Sequence, residues 1–334
     1  MRLNQKSIFI PLILFFLTYI LVYISLFVIK NPDQYNYLII MNSSTEFSLG
    51  IEPTVYFFSK ISKYIGSLLF IDPLIVFYSI YVFFIQLFLL FSFLNFFKNS
   101  YRKSTLLLFF WLITYGVMHC LIQIRFGLAS SIFVYMYSIF YLSPIGAKRI
   151  IFKLTPISFL AIFSHYSSIF SVFSLLFIWL RKSVQGISSG KIVHITFILI
   201  LLMFKFGSIF NFLPEFLMSR IGVYINNSEY DEVSNIARFI SFICYILLIL
   251  SPKLESERLN DLRIYGALGF ISYFIIPELE ILVRLGIPFQ YLLLPYLILT
   301  LKFKKVLYFS TLPLSVFFSY KIYSSINAFL GYLN

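Results

Sequence analysis

Residues 74–97 read LIVFYSIYVFFIQLFLLFSFLNFF, an uncharged apolar run that decides the fold. About 20 apolar residues in a helix, rising 1.5 Å each, cross the hydrocarbon core of a bilayer. Every backbone polar group must then be satisfied within the segment, which an α-helix does. A barrel strand would be shorter and would alternate in polarity, and neither is seen. The run stops at Lys98, followed by Arg102 and Lys103, the charge signature of a cytoplasmic turn.

Similar runs recur on both sides. With 60% hydrophobic residues and 43 Phe, the composition excludes a soluble globular domain. The net charge of +13 would point to nucleic acid in a soluble chain, but here the basic residues collect in short turns between apolar runs. Nucleic acid is therefore not an expected partner. Cys120 and Cys244 lie in apolar segments and make neither a disulfide framework nor a metal set. The three histidines are scattered without metal-ligand spacing, so no metal and no cofactor is expected.

From the N-terminus, residues 8–29 form a first span with Arg2 and Lys6 left in the cytoplasm. The run is too long for a signal-peptide core and lacks a small-residue cleavage site. An outer loop at about 30–71 follows, whose second part, Thr54 to Phe70, mixes apolar groups with Lys60 and Lys63 and reads as a helix lying on the membrane surface. Beyond residues 74–97, spans are expected at about 105–120 and 126–142. Gly127, Ala129, Ser130 and Ser131 crowd the start of the latter and would admit a neighbouring backbone.

Residues 154–180 are long for one crossing and short for two. The basic turn at Arg181, Lys182 and Lys191 and the acidic loop at about 211–235 receive opposite sides only if this segment crosses twice. It therefore reads as a hairpin with His165 near the outer tip. Further spans fall at about 191–210, 236–250, 262–276, 285–301 and 306–326. The expected fold is an all-α polytopic integral membrane protein of about 11 transmembrane helices, at about 20 residues per crossing. No internal repeat or linker divides residues 1–334, so they read as one transmembrane domain.

In this topology Arg125, Arg238 and Arg284 open spans from the outer side, where His165, Asp33, Glu46, Glu52, Glu278 and Glu280 also fall. Guanidinium groups at a membrane boundary suit phosphate oxygens through two parallel charge-assisted hydrogen bonds, and a lipid-linked pyrophosphate places its head group at that depth. The bland alternatives are explicit. Arg238 and Lys205 can simply snorkel to the interface, and Arg284 can pair with Glu280 one helical turn earlier. His165, among hydroxyl-bearing neighbours, can be a hydrogen-bonded core residue. His119 and His194 fit packing roles. Asp33 and Glu52 fall in a loop read as exposed, where carboxylates are ordinarily solvated, yet either could act as a general base. Gln123 flanks Arg125, Arg220 is the cation of the acidic loop, and Tyr35 and Tyr37 could stack on sugar rings.

The run Gln123-Ile124-Arg125-Phe126-Gly127-Leu128-Ala129, then Phe163-Ser164-His165-Tyr166-Ser167-Ser168, resembles the EpsG-like family of Wzy-type polysaccharide polymerases. Asp33-Gln34-Tyr35 and Gly50-Ile51-Glu52-Pro53 look like the family's acidic first loop, and Arg284 like its C-terminal arginine. Ser164 is a departure, since Phe-His is the usual pairing. The resemblance implies a GT-C-like membrane glycosyltransferase in the bacterial cytoplasmic membrane, with a cytoplasmic N-terminus. It would join undecaprenyl-pyrophosphate-linked repeat units at the outer face into capsule, O-antigen or exopolysaccharide. The lipid-linked oligosaccharide and the bilayer are the implied partners, with a chain-length regulator and a flippase as protein partners. In that scheme Arg125 and Arg284, joined by Arg238, hold pyrophosphate, His165 either deprotonates the acceptor hydroxyl or hydrogen-bonds the pyrophosphate, Asp33 or Glu52 is the second candidate base, and Gln123, Arg238, Arg220 and Tyr35 contact substrate. Two other classes compete. A lipid-linked sugar flippase or transporter would show internal repeats and midplane charges. An O-antigen ligase or membrane acyltransferase would use a similar face for another transfer.

Overall fold

The computed structural model describes residues 5–31, 33–43, 51–142, 149–183, 189–206, 233–277 and 283–333. Arg220, Glu46, Glu278, Glu280 and most of the expected loop at 211–235 lie outside the described residues. Every regular element among the described residues is helical. Three helical stretches are long and apolar enough to cross a membrane: Pro73–Phe96, Tyr101–Ile122 and Ile124–Leu142. Shorter apolar helices occupy Ile13–Val28, Phe152–Ser164, Val193–Met203 and Asn235–Leu250. The chain falls into two compact units, one of Met1–Leu142, Ile151–Ser168 and Lys321–Asn334, the other of Ser143–Ile150 and Ile169–Tyr320.

The first unit is built around α4 (Pro73–Phe96), which Asp72 caps by accepting the Leu74 N–H. Its buried side chains, among them Phe77, Tyr81, Ile85, Leu89 and Phe93, are apolar around most of the helix, as a central helix requires. Two polar side chains of α4 bond to neighbouring helices. Gln86 Nε2 donates to Thr18 Oγ1 of α1 (Gln5–Tyr23) at 3.0 Å, and Asn95 donates to Ser138 of α6 (Ile124–Leu142) at 2.9 Å. In an apolar medium such pairs hold helices in register. Lys98 and Asn99, both in the left-handed region, end α4 and turn the chain into α5 (Tyr101–Trp111).

α5 continues without a break into a π-helix over Leu112–Ile122. Long π-helical stretches are rare and concentrate at functional sites. Gly127 does admit a neighbouring backbone, since a Cβ there would run into the carbonyl of His119 on that π-helix. α2 (Gln34–Ser43) and α3 (Pro53–Leu69) fill the first loop. α3 turns back along α4. Phe58 meets Tyr81 and Phe84 (ring centroids 5.0 and 6.1 Å), while a Cβ on Gly66 would strike Ile71 O and Pro73.

The expected break near His165 is present: α7 (Arg149–Ser164) stops there and α8 begins at Ser168 and runs to Ser183. The second unit holds α9 (Ser189–Lys205), α10 (Asn235–Leu250) and α11 (Glu257–Ile275), the last two capped by Ser234 and Ser256. The expected span at 285–301 is interrupted. A 3-10 turn (Arg284–Gly286), α12 (Ile287–Gln290) and α13 (Leu293–Thr300) succeed one another. Gln290 donates to Gly269 O of α11 at 2.7 Å, and Ser272 of α11 donates to Val283 O at 3.1 Å, which ties the broken stretch to α11. The last helix, α14 (Leu312–Leu333), runs past the expected end at residue 326.

Candidate active site

Ile51-Glu52-Pro53 starts α3. Proline fits the first helical position because its missing N–H would be unsatisfied there anyway, and it holds the preceding residue extended. Glu52 accordingly sits at the N-cap with ψ 134°. Its carbonyl accepts the Val55 N–H at 2.9 Å, but its carboxylate makes no cap bond. That carboxylate reaches Arg125 and His165 instead. Arg125 Nη1 donates to Glu52 Oε2 at 2.7 Å, and His165 Nδ1 lies 3.2 Å from Oε1. Glu52 is only 2% exposed, whereas Arg125 and His165 keep 23% and 31% of their side-chain surfaces open. A carboxylate this buried is stable as an anion only because it is paired on both oxygens.

Each partner is held from behind. Arg125 is the second residue of α6, placed by the junction with the π-helix. At that junction Gln123 N–H donates to Met118 O at 2.6 Å and Gly127 N–H to Gln123 O at 2.9 Å. The Tyr37 ring lies under the guanidinium, 5.3 Å from its centre. Burial pushes the Tyr37 phenol above its ordinary pKa, with Arg125 pulling the other way, so it stays protonated. His165 follows the last turn of α7, and its ring meets Phe126 edge-on at 5.6 Å. Thr54 donates to Phe163 O at 3.0 Å and lies 3.1 Å from Tyr81 OH. Tyr166 OH donates to Ile51 O at 3.2 Å. The start of α3 is thereby tied to the chain on both sides of His165.

Asn31, also buried, joins three of the supporting elements. Its amide nitrogen lies within reach of the Leu121 carbonyl, of Tyr78 OH at 2.8 Å and of Ser25 Oγ at 3.1 Å. With two hydrogens to give, the Leu121 and Tyr78 bonds account for them, and Ser25 Oγ itself donates to Leu121 O at 2.5 Å. Leu121 O is one of the last carbonyls of the π-helix, a group that a helix end leaves unsatisfied. Asn31 Oδ1 accepts the Asp33 N–H at 2.8 Å and so sets the turn into α2, the helix that carries Tyr37.

Of the residues singled out in the sequence, the structure brings together Arg125, His165 and Glu52. Glu52 is corrected in one respect: it is a buried cap, not a solvated loop carboxylate, because Pro53 starts a helix there and α3 packs on α4. Asp33 sits half-buried at the start of α2. Tyr35 is exposed on α2, two residues from Tyr37 and on another face. Tyr37 packs under Arg125, which is a correction to its reading as a sugar-stacking residue. Gln123 is half-exposed and acts through its backbone at the helix junction. Arg238 and Arg284 belong to the second unit. Arg238 Nε donates to Val233 O at 2.8 Å, and Arg284 opens the 3-10 turn half-buried. His119 and His194 are buried among aromatic rings, Tyr115 and Phe126 for the first and Tyr245 for the second. Among the described residues no group of three His, Cys, Asp or Glu could hold a metal ion. Sequence reasoning missed Asn31, Thr54 and Tyr166. Their types are common in any loop, and the one available signal was their closeness to Asp33, Glu52 and His165.

An all-helical membrane protein with a carboxylate-centred Arg–Glu–His cluster where its helices start and stop is the class this architecture defines. The chain belongs to the EpsG family, which it matches over residues 11–334, a family of Wzy-like polysaccharide polymerases and exopolysaccharide biosynthesis proteins. Membership implies, in general terms, a glycosyltransferase-like polymerase acting in polysaccharide biosynthesis. No curated protein and no solved structure matches the chain.

Proposed function

We propose that this chain is a repeat-unit polymerase that joins undecaprenyl-pyrophosphate-linked oligosaccharides at the outer face of the bacterial cytoplasmic membrane. The observation that carries the reading is Glu52, buried and bonded at once to Arg125 and His165. A structural ion pair needs only one cation. Here the second partner is an imidazole whose Nδ1 faces the carboxylate, which directs the other nitrogen, Nε2, toward a substrate.

In this mechanism the acceptor sugar hydroxyl attacks the anomeric carbon of the donor, and the bond from that carbon to the pyrophosphate oxygen breaks. His165 Nε2 takes the hydroxyl proton, and Glu52 stabilises the imidazolium that forms. Arg125 keeps N–H groups beyond the one used on Glu52, and these meet the negative charge growing on the leaving pyrophosphate. Tyr37 and Glu52 together hold the guanidinium before substrate arrives, so little reorganisation accompanies the reaction.

The test uses the purified full-length protein and a lipid-pyrophosphate-linked repeat unit, read as a polymer ladder on a gel. His165→Ala should lower polymer yield by about 10²- to 10⁴-fold, the usual contribution of a general base. Arg125→Ala should abolish the ladder while the protein still reaches the membrane. Full-length polymer from either variant would sink the assignment.

A further inference from the structure

α3 is built inside out for a helix in water. Its inward stripe is small or polar, with Val55, Ser59, Ser62 and Gly66 buried, while Phe57, Ile61, Tyr64 and Leu68 on its outward face are exposed. Large apolar groups outside and small ones inside are how a helix is arranged when lipid bathes it and close packing holds it. Of its two lysines, Lys63 is half-buried and Lys60 is exposed on the outward face, where a long side chain reaches the interface. Lys63 Nζ donates to Met41 O at 2.5 Å, and Lys60 Nζ lies 4.7 Å from the Tyr56 ring centroid. The helix ends on Phe70, at φ 56° and 97% exposed. A left-handed cap favours glycine, and a side chain with a Cβ is strained there. No protein packing compensates, since the ring is almost wholly open.

The depth of the helix follows from α4, which is long enough to cross a membrane. α3 begins beside Tyr81 and ends beside Pro73, so at 1.5 Å per residue its start lies about 12 Å further along α4 than its end. Tyr81 is about 22 Å from Phe96, which precedes the basic turn at Lys98, whereas the hydrocarbon core is about 30 Å thick. We infer that α3 is a half-membrane helix whose outward face contacts lipid acyl chains, so that the Glu52 cluster at its start sits below the bilayer surface, screened from lipid by α3 itself. The occupant of this face is the bilayer. The large apolar groups of the outward face belong in hydrocarbon, and the exposed Phe cap, beside Pro73, falls at its outer boundary.

The experiment needs no enzymatic assumption. Phe57→Cys, Ile61→Cys and Leu68→Cys are made singly in the full chain carrying Cys120→Ala and Cys244→Ala. Each is labelled with bimane and reconstituted into phosphatidylcholine vesicles containing lipids with a nitroxide either near the head or near the middle of the acyl chain. The label at position 57 should be quenched by the mid-chain nitroxide about twofold more than by the shallow one, with the order reversed at position 68, as a depth difference of about 12 Å requires. Equal depth at all three positions would mean a helix lying flat on the surface and would overturn the inference. So would labels that neither nitroxide quenches, whether water or another protein covers the face. The three positions are exposed, so loss of one variant leaves the gradient measurable from the other two.

Discussion

Glu52 joins Arg125 and His165 through one buried side chain. A carboxylate that is 2% exposed gains its stability from partners, and removing one leaves a buried charge unmatched. Arg125→Ala should therefore destabilise the folded protein by about 3–5 kcal/mol. Adding Glu52→Gln to that variant should restore part of the loss, because no uncompensated charge then remains. Unfolding in a graded detergent series measures both, and strict additivity of the two substitutions would show that the pair is not coupled. Asn31→Ala is a second prediction at this scale. It strips the Leu121 carbonyl and the Asp33 N–H of a side-chain partner, each worth about 1–3 kcal/mol when buried. Polymer yield should fall in this variant while its amount in the membrane is unchanged, since Asn31 acts through the junction that places Arg125, and wild-type yield would show that the junction holds without it. Arg125 and His165 stood out in the sequence, because ionisable groups are costly in apolar surroundings, and the structure brings both to Glu52. The burial of Glu52 was not legible there, because Gly50-Ile51-Glu52-Pro53 looks like any polar loop until α3 is packed against α4.

At the scale of elements, the close approaches carry the geometry. Gly127 lets the start of α6 lie against the π-helix at His119, and a methyl group has no room there. Gly127→Ala should shift the junction that holds Arg125, costing about 1–3 kcal/mol as overpacking does. Polymer yield should fall while membrane insertion is unchanged, and wild-type yield from this variant would show that the junction tolerates displacement. The helix break near His165 was expected from charge bookkeeping along the chain, and α7 does stop at Ser164 with α8 beginning at Ser168. The π-helix over Leu112–Ile122 and the interrupted stretch at 284–300 did not follow. Hydropathy reports that a segment is apolar, not which carbonyl each N–H selects. Side chains such as Ser25 and Asn31, which serve the Leu121 carbonyl at the end of the π-helix, are distant in sequence from the group they satisfy.

On the scale of the molecule, each compact unit carries one buried thiol, Cys120 in the first and Cys244 in the second. Neither should react with maleimide in the folded protein in a bilayer, and each should become reactive when its own unit is unfolded. Mass spectrometry of labelled peptides reads the two separately, and prompt labelling of either in the native state would contradict its burial. What the sequence by itself determined is the solvent of this protein and the period of its structure. Long uncharged runs admit only helices in lipid, and basic turns orient them. Its short Arg-x-Gly-Leu-Ala and His-Tyr-Ser-Ser segments also pointed to the family. Tertiary structure alone decided that Glu52 meets both Arg125 and His165, that Tyr37 lies beneath the guanidinium, and that α3 runs along α4. The physical reason is that hydropathy is a property of each segment, whereas an ion pair across 73 residues depends on how helices pack. In lipid that packing is set by small residues and scattered polar contacts, which no local pattern announces.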